Sequence, residues 1–218
     1  MNFYDKLVAT PVFQGLSNSE LMQIIGQTKF AFRKFAPEKI IRDEGEPCKS
    51  MVFLFEGMAS VVSYADDHGY SVEETLTAPC IFQPERLFGL NPRFTHRFIA
   101  QTSCDIMEID KNDIMQLSDE FIIFRLNLMN IISTISQKAE RQLWHPTPDD
   151  THGRIIKFLR SHVTTPKGKK IVRIKMTRLA QETGLGRLVV SKELNHMQEL
   201  GHLSFSRGII TIPAIEEL

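Results

Sequence analysis

Apolar and polar residues change rhythm three times along this chain. From about Phe30 to Ile109 the apolar positions fall in short runs broken by turn residues. Ile40-Ile41 stands before Asp43-Glu44-Gly45-Glu46-Pro47, and Met51-Val52-Phe53-Leu54-Phe55 stops at Glu56-Gly57. Val61 to Tyr64 and Ser71 to Leu76 flank Asp66-Asp67-His68-Gly69, a hairpin connection, and Arg97 to Gln101 and Asp105 to Ile109 form a last pair. Many short strands at this spacing predict a closed β-roll or sandwich rather than an α/β sheet. Ahead of them, Ser17-Asn18-Ser19-Glu20 has the pattern of a capping box that opens a short helix through Leu21 to Gln27.

From about Asn112 to Trp144 the apolar period lengthens. Asp113 is placed to cap a start, and Asp119 a second helix or a kink. Phe121, Phe124, Leu128, Ile131 and Ile135 then recur at steps of three and four, while Ile122, Leu126, Met129 and Ile132 widen the stripe. A long helix apolar over that much of its circumference buries two faces. One is expected on the roll. The other, through Phe124, Leu128, Ile131 and Ile135, is expected on a partner, the alternative being a helix buried wholly within its own chain. Lys138, Glu140, Arg141 and Gln142 turn the helix polar, and His145-Pro146-Thr147-Pro148 breaks it as a linker.

The third region starts at Asp149 or Asp150. His152 to Val163 predicts a helix with Ile155, Ile156, Phe158 and Leu159 inward. Met176 to Gly201 then predicts two short helices joined at Gly184, where a positive φ suits glycine. The second begins at about Arg187, with Val190, Leu194, Met197 and Leu200 on one face and Arg187, Ser191, Lys192 and Asn195 on the other. That is a helix-turn-helix whose second helix offers donors to a major groove, or else an ordinary αα-hairpin on a core. His202 to Ile212 alternates around Ser206-Arg207-Gly208 and reads as a hairpin, which makes the unit a winged helix. Just upstream, Lys167, Lys169, Lys170, Arg173, Lys175 and Arg178 place six cations within twelve residues and no acid among them. Beside a helix-turn-helix such a run is a phosphate track.

The predicted fold is therefore α+β, in three regions: a sensor β-roll over 1–112, a long dimerisation helix and hinge over 113–145, and a winged-helix DNA-binding domain over 146–218. Charge follows that division. The 218 residues are neutral overall, but from residue 146 onward 12 Lys and Arg stand against 7 Asp and Glu, and before it 14 stand against 19. A basic C-terminal region behind an acidic one fits a nucleic-acid domain with a sensing domain. Cys48, Cys80 and Cys104 lie far apart among apolar neighbours, without metal spacing, so reduced buried thiols in the cytoplasm are expected. The opening MNFYDKLVATPVF has no basic, then long apolar, stretch, so no secretion signal is expected, and no run reaches the roughly 20 apolar residues that span a bilayer.

An enzyme is the rival class. His145 and Asp149 have the H-x-x-x-D spacing of some acyltransferases, but a general base needs a buried, oriented imidazole, and two prolines with a second acid, Asp150, mark an exposed linker. His145, Asp149, Asp150 and His152 could together chelate a metal, yet they lack a thiolate and a rigid frame, so no metal site and no catalytic site is assigned. A further alternative is a β-roll module that binds a ligand without binding DNA, against which the net charge of the C-terminal region speaks.

The order of these elements resembles the cyclic-AMP receptor protein / fumarate-nitrate regulator (Crp/Fnr) superfamily over nearly the whole chain. In the sensor half the resemblance is carried by Ile41-Arg42-Asp43-Glu44-Gly45-Glu46 before Met51 to Gly57, and by Cys104 to Ile109 as the closing strand. In the DNA half it is carried by Leu179-Ala180, Gly184, Arg187, Val190-Ser191-Lys192 and Leu194. The resemblance implies a homodimer on symmetric half-sites of double-stranded DNA, control by an effector in the roll, and RNA polymerase as a further candidate partner. It places base and phosphate contacts on Arg187, Leu188, Ser191, Lys192, Asn195, Lys169, Lys170, Arg173, Lys175, Arg178 and Arg207, and effector contacts on Glu85, Arg93 and Arg97.

The chain also departs from the family. Cyclic-nucleotide members hold the phosphate with a Gly-Glu pair and a later Arg before Ser or Thr. Here Pro79 and Pro84 stand where amide donors are wanted, no glycine precedes Glu85, and neither Arg93 nor Arg97 precedes Ser or Thr. Cyclic AMP is expected to bind weakly or not at all, and the effector and any cofactor stay unassigned. The cysteine cluster of iron–sulfur members is missing. In the recognition helix, Arg187 keeps the residue suited to guanine, whereas Leu188 stands where a glutamate often reads cytosine, so a different target sequence is expected.

Overall fold

Two helices open the chain: α1 (Phe3–Ala9), which the apolar pattern did not announce, and α2 (Asn18–Gln27), which it did. Both arms of the capping box close at α2. The Glu20 amide donates to Ser17 Oγ at 3.3 Å, and the Ser17 amide donates to the Glu20 carboxylate at 2.8 Å. The computed structural model describes residues 3–144 and 146–218; His145, assigned to the linker and to the rival chemistries, lies outside them. The chain divides into two compact units, Met1–Ala59 with Leu76–Leu143, and Ser60–Thr75 with Trp144–Leu218.

The strands are β1 (Phe30–Phe35), β2 (Ile40–Arg42), β3 (Ser50–Glu56), β4 (Met58–Tyr64), β5 (Tyr70–Thr77), β6 (Cys80–Phe82), β7 (His96–Ala100) and β8 (Cys104–Asp110). In the first unit β1, β8, β3 and β6 form an antiparallel sheet in that order, and β2 pairs with β7. The unbroken apolar run of β3 is buried on both faces, as such a run requires. Phe82 and Phe98 stack at 4.2 Å inside. Gly57, at φ +95, is a true glycine position, because a Cβ there would meet the Ser103 carbonyl at 2.3 Å. The cysteines are unpaired; burial pushes the Cys48 thiol up to about 11 and the Cys80 thiol up to about 12.

Then follow α3 (Lys111–Glu120) and α4 (Ile122–Trp144), with the break at Phe121. The cap of α3 is Asp110, which accepts from the Asn112 amide at 2.8 Å, and not Asp113. On α4, Phe124 is fully buried against Phe13, whose ring centroid lies 5.4 Å away, and Asn127 Nδ2 donates to the carbonyls of Val12 at 3.2 Å and Gln14 at 2.7 Å. Leu128 is buried on the same side. These two residues are thus core of their own unit, which corrects their assignment to a partner. Ile131 and Ile135 are half-buried, while Ile122, Leu126 and Met129 form the exposed apolar stripe.

The second unit holds α5 (Thr151–Ser161), β9 (Lys170–Ile174), α6 (Met176–Thr183), α7 (Arg187–Glu199), β10 (Ser204–Ser206) and β11 (Ile209–Ile212). Asp150 caps α5 by accepting from the Gly153 amide at 2.7 Å. The sheet runs β10-β11-β9-β5-β4, so the hairpin of β5 with β4 extends the winged-helix sheet through the basic segment, from Tyr70↔Ile174 to Glu74↔Lys170. Val72 of the hairpin shares a core with Ile155, Leu159, Val172, Val190, Leu194, Met197 and Ile210. A partition at residue 112 would assign residues 60–75 to the roll, whereas they pack in the second unit.

Candidate nucleic-acid interface

α6 ends at Gly184, whose φ of 66 lets its amide turn back to the carbonyls of Ala180 and Gln181. Thr183 Oγ1 donates to the Leu179 carbonyl at 2.7 Å and is buried, which closes the last turn of α6 from inside. The chain turns through Leu185 to Gly186, the N-cap of α7, which offers no side-chain hydrogen bond. Val190, Leu194 and Met197 face the core. Leu200, expected with them, is exposed; it is the C-cap of α7.

The opposite face of α7 carries Arg187, Leu188, Lys192 and Asn195, all exposed, with Ser191 half-buried. Leu188, 78% exposed, is an apolar side chain with no core to fill. Two bonds fix the pose of the helix. His152 Nδ1 meets Glu193 Oε1 at 2.8 Å, and the Phe205 amide donates to Gln198 Oε1 at 2.8 Å, tying α7 to α5 and to the wing. At the wing tip Arg207 has φ +49 and Gly208 φ +80, the two positive values of a two-residue hairpin turn. An arginine holds the left-handed position only at a cost, and here it projects from the tip, exposed.

The basic segment is divided. Lys169 and Lys175 are exposed. Lys170 is 1% exposed, and its ammonium donates to Glu74 Oε1 at 2.8 Å and to the Lys167 carbonyl at 2.9 Å. A residue so placed presents no charge to a phosphate, so Lys170 leaves the candidate interface. Arg173 Nη1 donates to Glu73 Oε2 at 2.7 Å, and Arg178 Nη1 lies 2.9 Å from Asp67 Oδ2. Glu74 is the hub. It accepts from the amides and hydroxyls of Thr164 (2.7 and 2.7 Å) and Thr165 (3.0 and 2.8 Å) besides Lys170. Burial pushes its carboxyl up, but these donors together outweigh burial and hold it below the usual carboxylate range.

Sequence reasoning missed Asp67, Glu73 and Glu74. The signal lay in the pair Glu73-Glu74: adjacent strand residues point to opposite faces, so one of the two had to turn inward and find a cation.

The effector candidates are not brought together as a phosphate site. Arg97 grips Asp43 with two bonds, at 2.7 and 3.2 Å, and that pairing holds the Asp43 carboxyl below its usual range. Arg93 Nη1 donates to the Gly45 carbonyl at 2.7 Å, so both guanidiniums brace the turn before β3. Glu85 sits in a short 3-10 helix, Pro84–Arg86, entered from Gln83 at φ +41; burial pushes its carboxyl up, with Arg86 3.9 Å away.

Residues 32–121 match the family model of the cyclic nucleotide-binding domain. The catabolite activator protein of Thermus thermophilus is similar in structure, with a TM-score of 0.55 at 19% identity over 93% of each chain. A transcriptional regulator from Thermotoga maritima aligns with a TM-score of 0.50 at 18% identity, over 57% of this chain and 95% of that one. No curated protein matches the sequence.

Proposed function

We propose that this chain is a homodimeric, non-enzymatic transcription regulator that reads a palindromic operator in double-stranded DNA with α7. The observation that carries the proposal is the divided surface of α7: one face locked into the core, the other presenting Arg187, Leu188, Lys192 and Asn195 with a basic wing tip beside it. A helix kept only for packing has no need of a fixed pose, a cationic first turn and an exposed leucine together. Arg187 lies where side chains reach base edges and pairs best with guanine; Leu188 suits a thymine methyl. Lys169, Lys175 and Arg207 serve phosphates. The dimer forms along α4 through Ile122, Leu126 and Met129, with Ile131 and Ile135 farther on, since an apolar stripe of this kind calls for a partner. No helix among the described residues is long and apolar enough to cross a membrane, and a cytoplasmic site of action, with RNA polymerase as partner at a promoter, goes with this reading.

The roll answers to an effector other than cyclic AMP, or acts without one. Both arginines that could meet a cyclic phosphate are held by the turn at Asp43–Gly45, and the residue offered in the cassette region is a half-buried carboxyl. The test of the whole reading is a titration of duplex DNA at several salt concentrations, paired with sedimentation. A dimer that binds with a steep salt dependence is expected. A monomer, or a protein without salt-dependent binding, would leave the ligand-binding module without DNA as the better reading.

A further inference from the structure

We propose that the β4–β5 hairpin is a built-in competitor for DNA phosphate, a counter-ion clamp whose carboxylates occupy two cations of the winged helix. This rests on the DNA-binding reading above. The hairpin makes two different kinds of contact with the basic segment. One is an anchor: Glu74 and Lys170 are both fully buried, and Glu74 takes five donors from Lys170, Thr164 and Thr165. Such a pair does not exchange with solvent ions. The other is a latch at the surface. Asp67, at the hairpin tip, pairs with Nη1 of Arg178 in the first turn of α6, whose Nε meets Glu182 of the same helix at 2.8 Å, and Glu73 pairs with Arg173 on β9. These four side chains are between 21% and 53% exposed, so a phosphate can reach them.

In a helix-turn-helix the first helix crosses the sugar–phosphate backbone, which makes the start of α6 a natural phosphate contact. The carboxylates of Asp67 and Glu73 stand where phosphate oxygens would stand. DNA must therefore displace them before these arginines contribute to binding, and each displacement subtracts from affinity. The two ends of the hairpin continue at Ala59 and Leu76 into the other compact unit, which contains most of the segment that matches the cyclic nucleotide-binding domain. The strands that carry the latch are thus continuous in sequence with that unit. The anchor keeps the hairpin in register while the latch opens.

The test uses the full-length protein with Asp67→Asn and Glu73→Gln, singly and together. Asp66→Asn is the control that removes the same charge from the same turn. At low salt the double variant should bind duplex DNA about ten-fold more tightly than the unmodified protein, with a steeper salt dependence, because released arginines add phosphate contacts. Asp66→Asn should change affinity less than about two-fold, as a diffuse charge effect does. Retention on immobilised heparin, a sequence-free polyanion, should rise in the same order. Unchanged or weaker DNA binding in the double variant overturns the clamp, and so does an equal gain from Asp66→Asn. If heparin retention rises while no form of the protein binds DNA, the clamp stands and the DNA-binding reading falls. If neither moves, both fall.

Discussion

The exposed face of α7 and the basic segment at β9 carry the same kind of charge, yet the structure treats them in opposite ways. Arg187 and Lys192 stand exposed on α7, and no carboxylate among the described residues is paired with them. Lys170, Arg173 and Arg178 are each matched to an acid from one hairpin. A run of cations in sequence therefore does not measure the charge available to a ligand. What counts is which cations the fold leaves unpartnered. The difference also divides the expected roles: α7 supplies readout, the hairpin-facing segment supplies regulation and cohesion.

The largest effect is expected at the anchor. Lys170→Ala should destabilise the protein by about 3–5 kcal/mol, because it leaves the buried Glu74 carboxylate without its cation. Urea unfolding measures this. A fully stable variant with weaker DNA binding would return Lys170 to the phosphate contacts. The same site sets a pH dependence. The Glu74 carboxyl is held below its unfolded value, so its contribution is complete above about pH 4.3 and is lost as pH falls through the lower, folded value. Lys170→Ala should flatten that acid limb in a stability–pH series.

The two faces of α4 differ in a parallel way. Leu128→Ala, on the inner face, should cost about 2–5 kcal/mol of folding stability. Leu126→Glu with Met129→Glu, on the outer face, should leave the fold intact and convert a dimer to a monomer by sedimentation. If Leu126→Glu with Met129→Glu leaves the dimer unchanged, the seam lies elsewhere.

Smaller effects sharpen the contrast at the interface. Arg187→Ala should cost about 1–3 kcal/mol in binding to the preferred site, read by anisotropy. Lys169→Ala should weaken all sequences alike and lower the salt slope by about one unit for each phosphate the protein no longer neutralises. Cyclic AMP should give no saturable heat at micromolar concentration in calorimetry; saturable binding there would restore a working phosphate cassette.

Much of this was legible in the residues. The strands from Ile40 to Ile109 fell where apolar runs met turn residues, and Ser17 and Glu20 announced α2 through a local rule. The two helices around Gly184 and the hairpin at Arg207-Gly208 were equally local. What escaped was set by distant packing. An amphipathic pattern says that Phe124 and Leu128 are buried, but it takes Phe13 and the loop at Val12–Gln14 to decide against which neighbour. Lys170 looked like its neighbours Lys167 and Lys169 because nothing near it in sequence identifies Glu74, 96 residues away, as its partner. Strand β9 itself was hidden, since its alternation of Lys170, Val172 and Ile174 inward reads as a basic run until the sheet beside it is known.

In the proposed reading α7 reads bases while Lys169, Lys175 and Arg207 hold phosphate. Selection from a random duplex pool, run in parallel with the unmodified protein, Arg187→Ala and Lys169→Ala, tests it most directly. A palindrome with half-sites roughly one helical turn apart is expected for the first. The same palindrome with one relaxed position per half-site is expected for Arg187→Ala, and an unaltered palindrome at lower yield for Lys169→Ala. An Arg187→Ala selection identical to that of the unmodified protein, or a pool that never enriches, would contradict it.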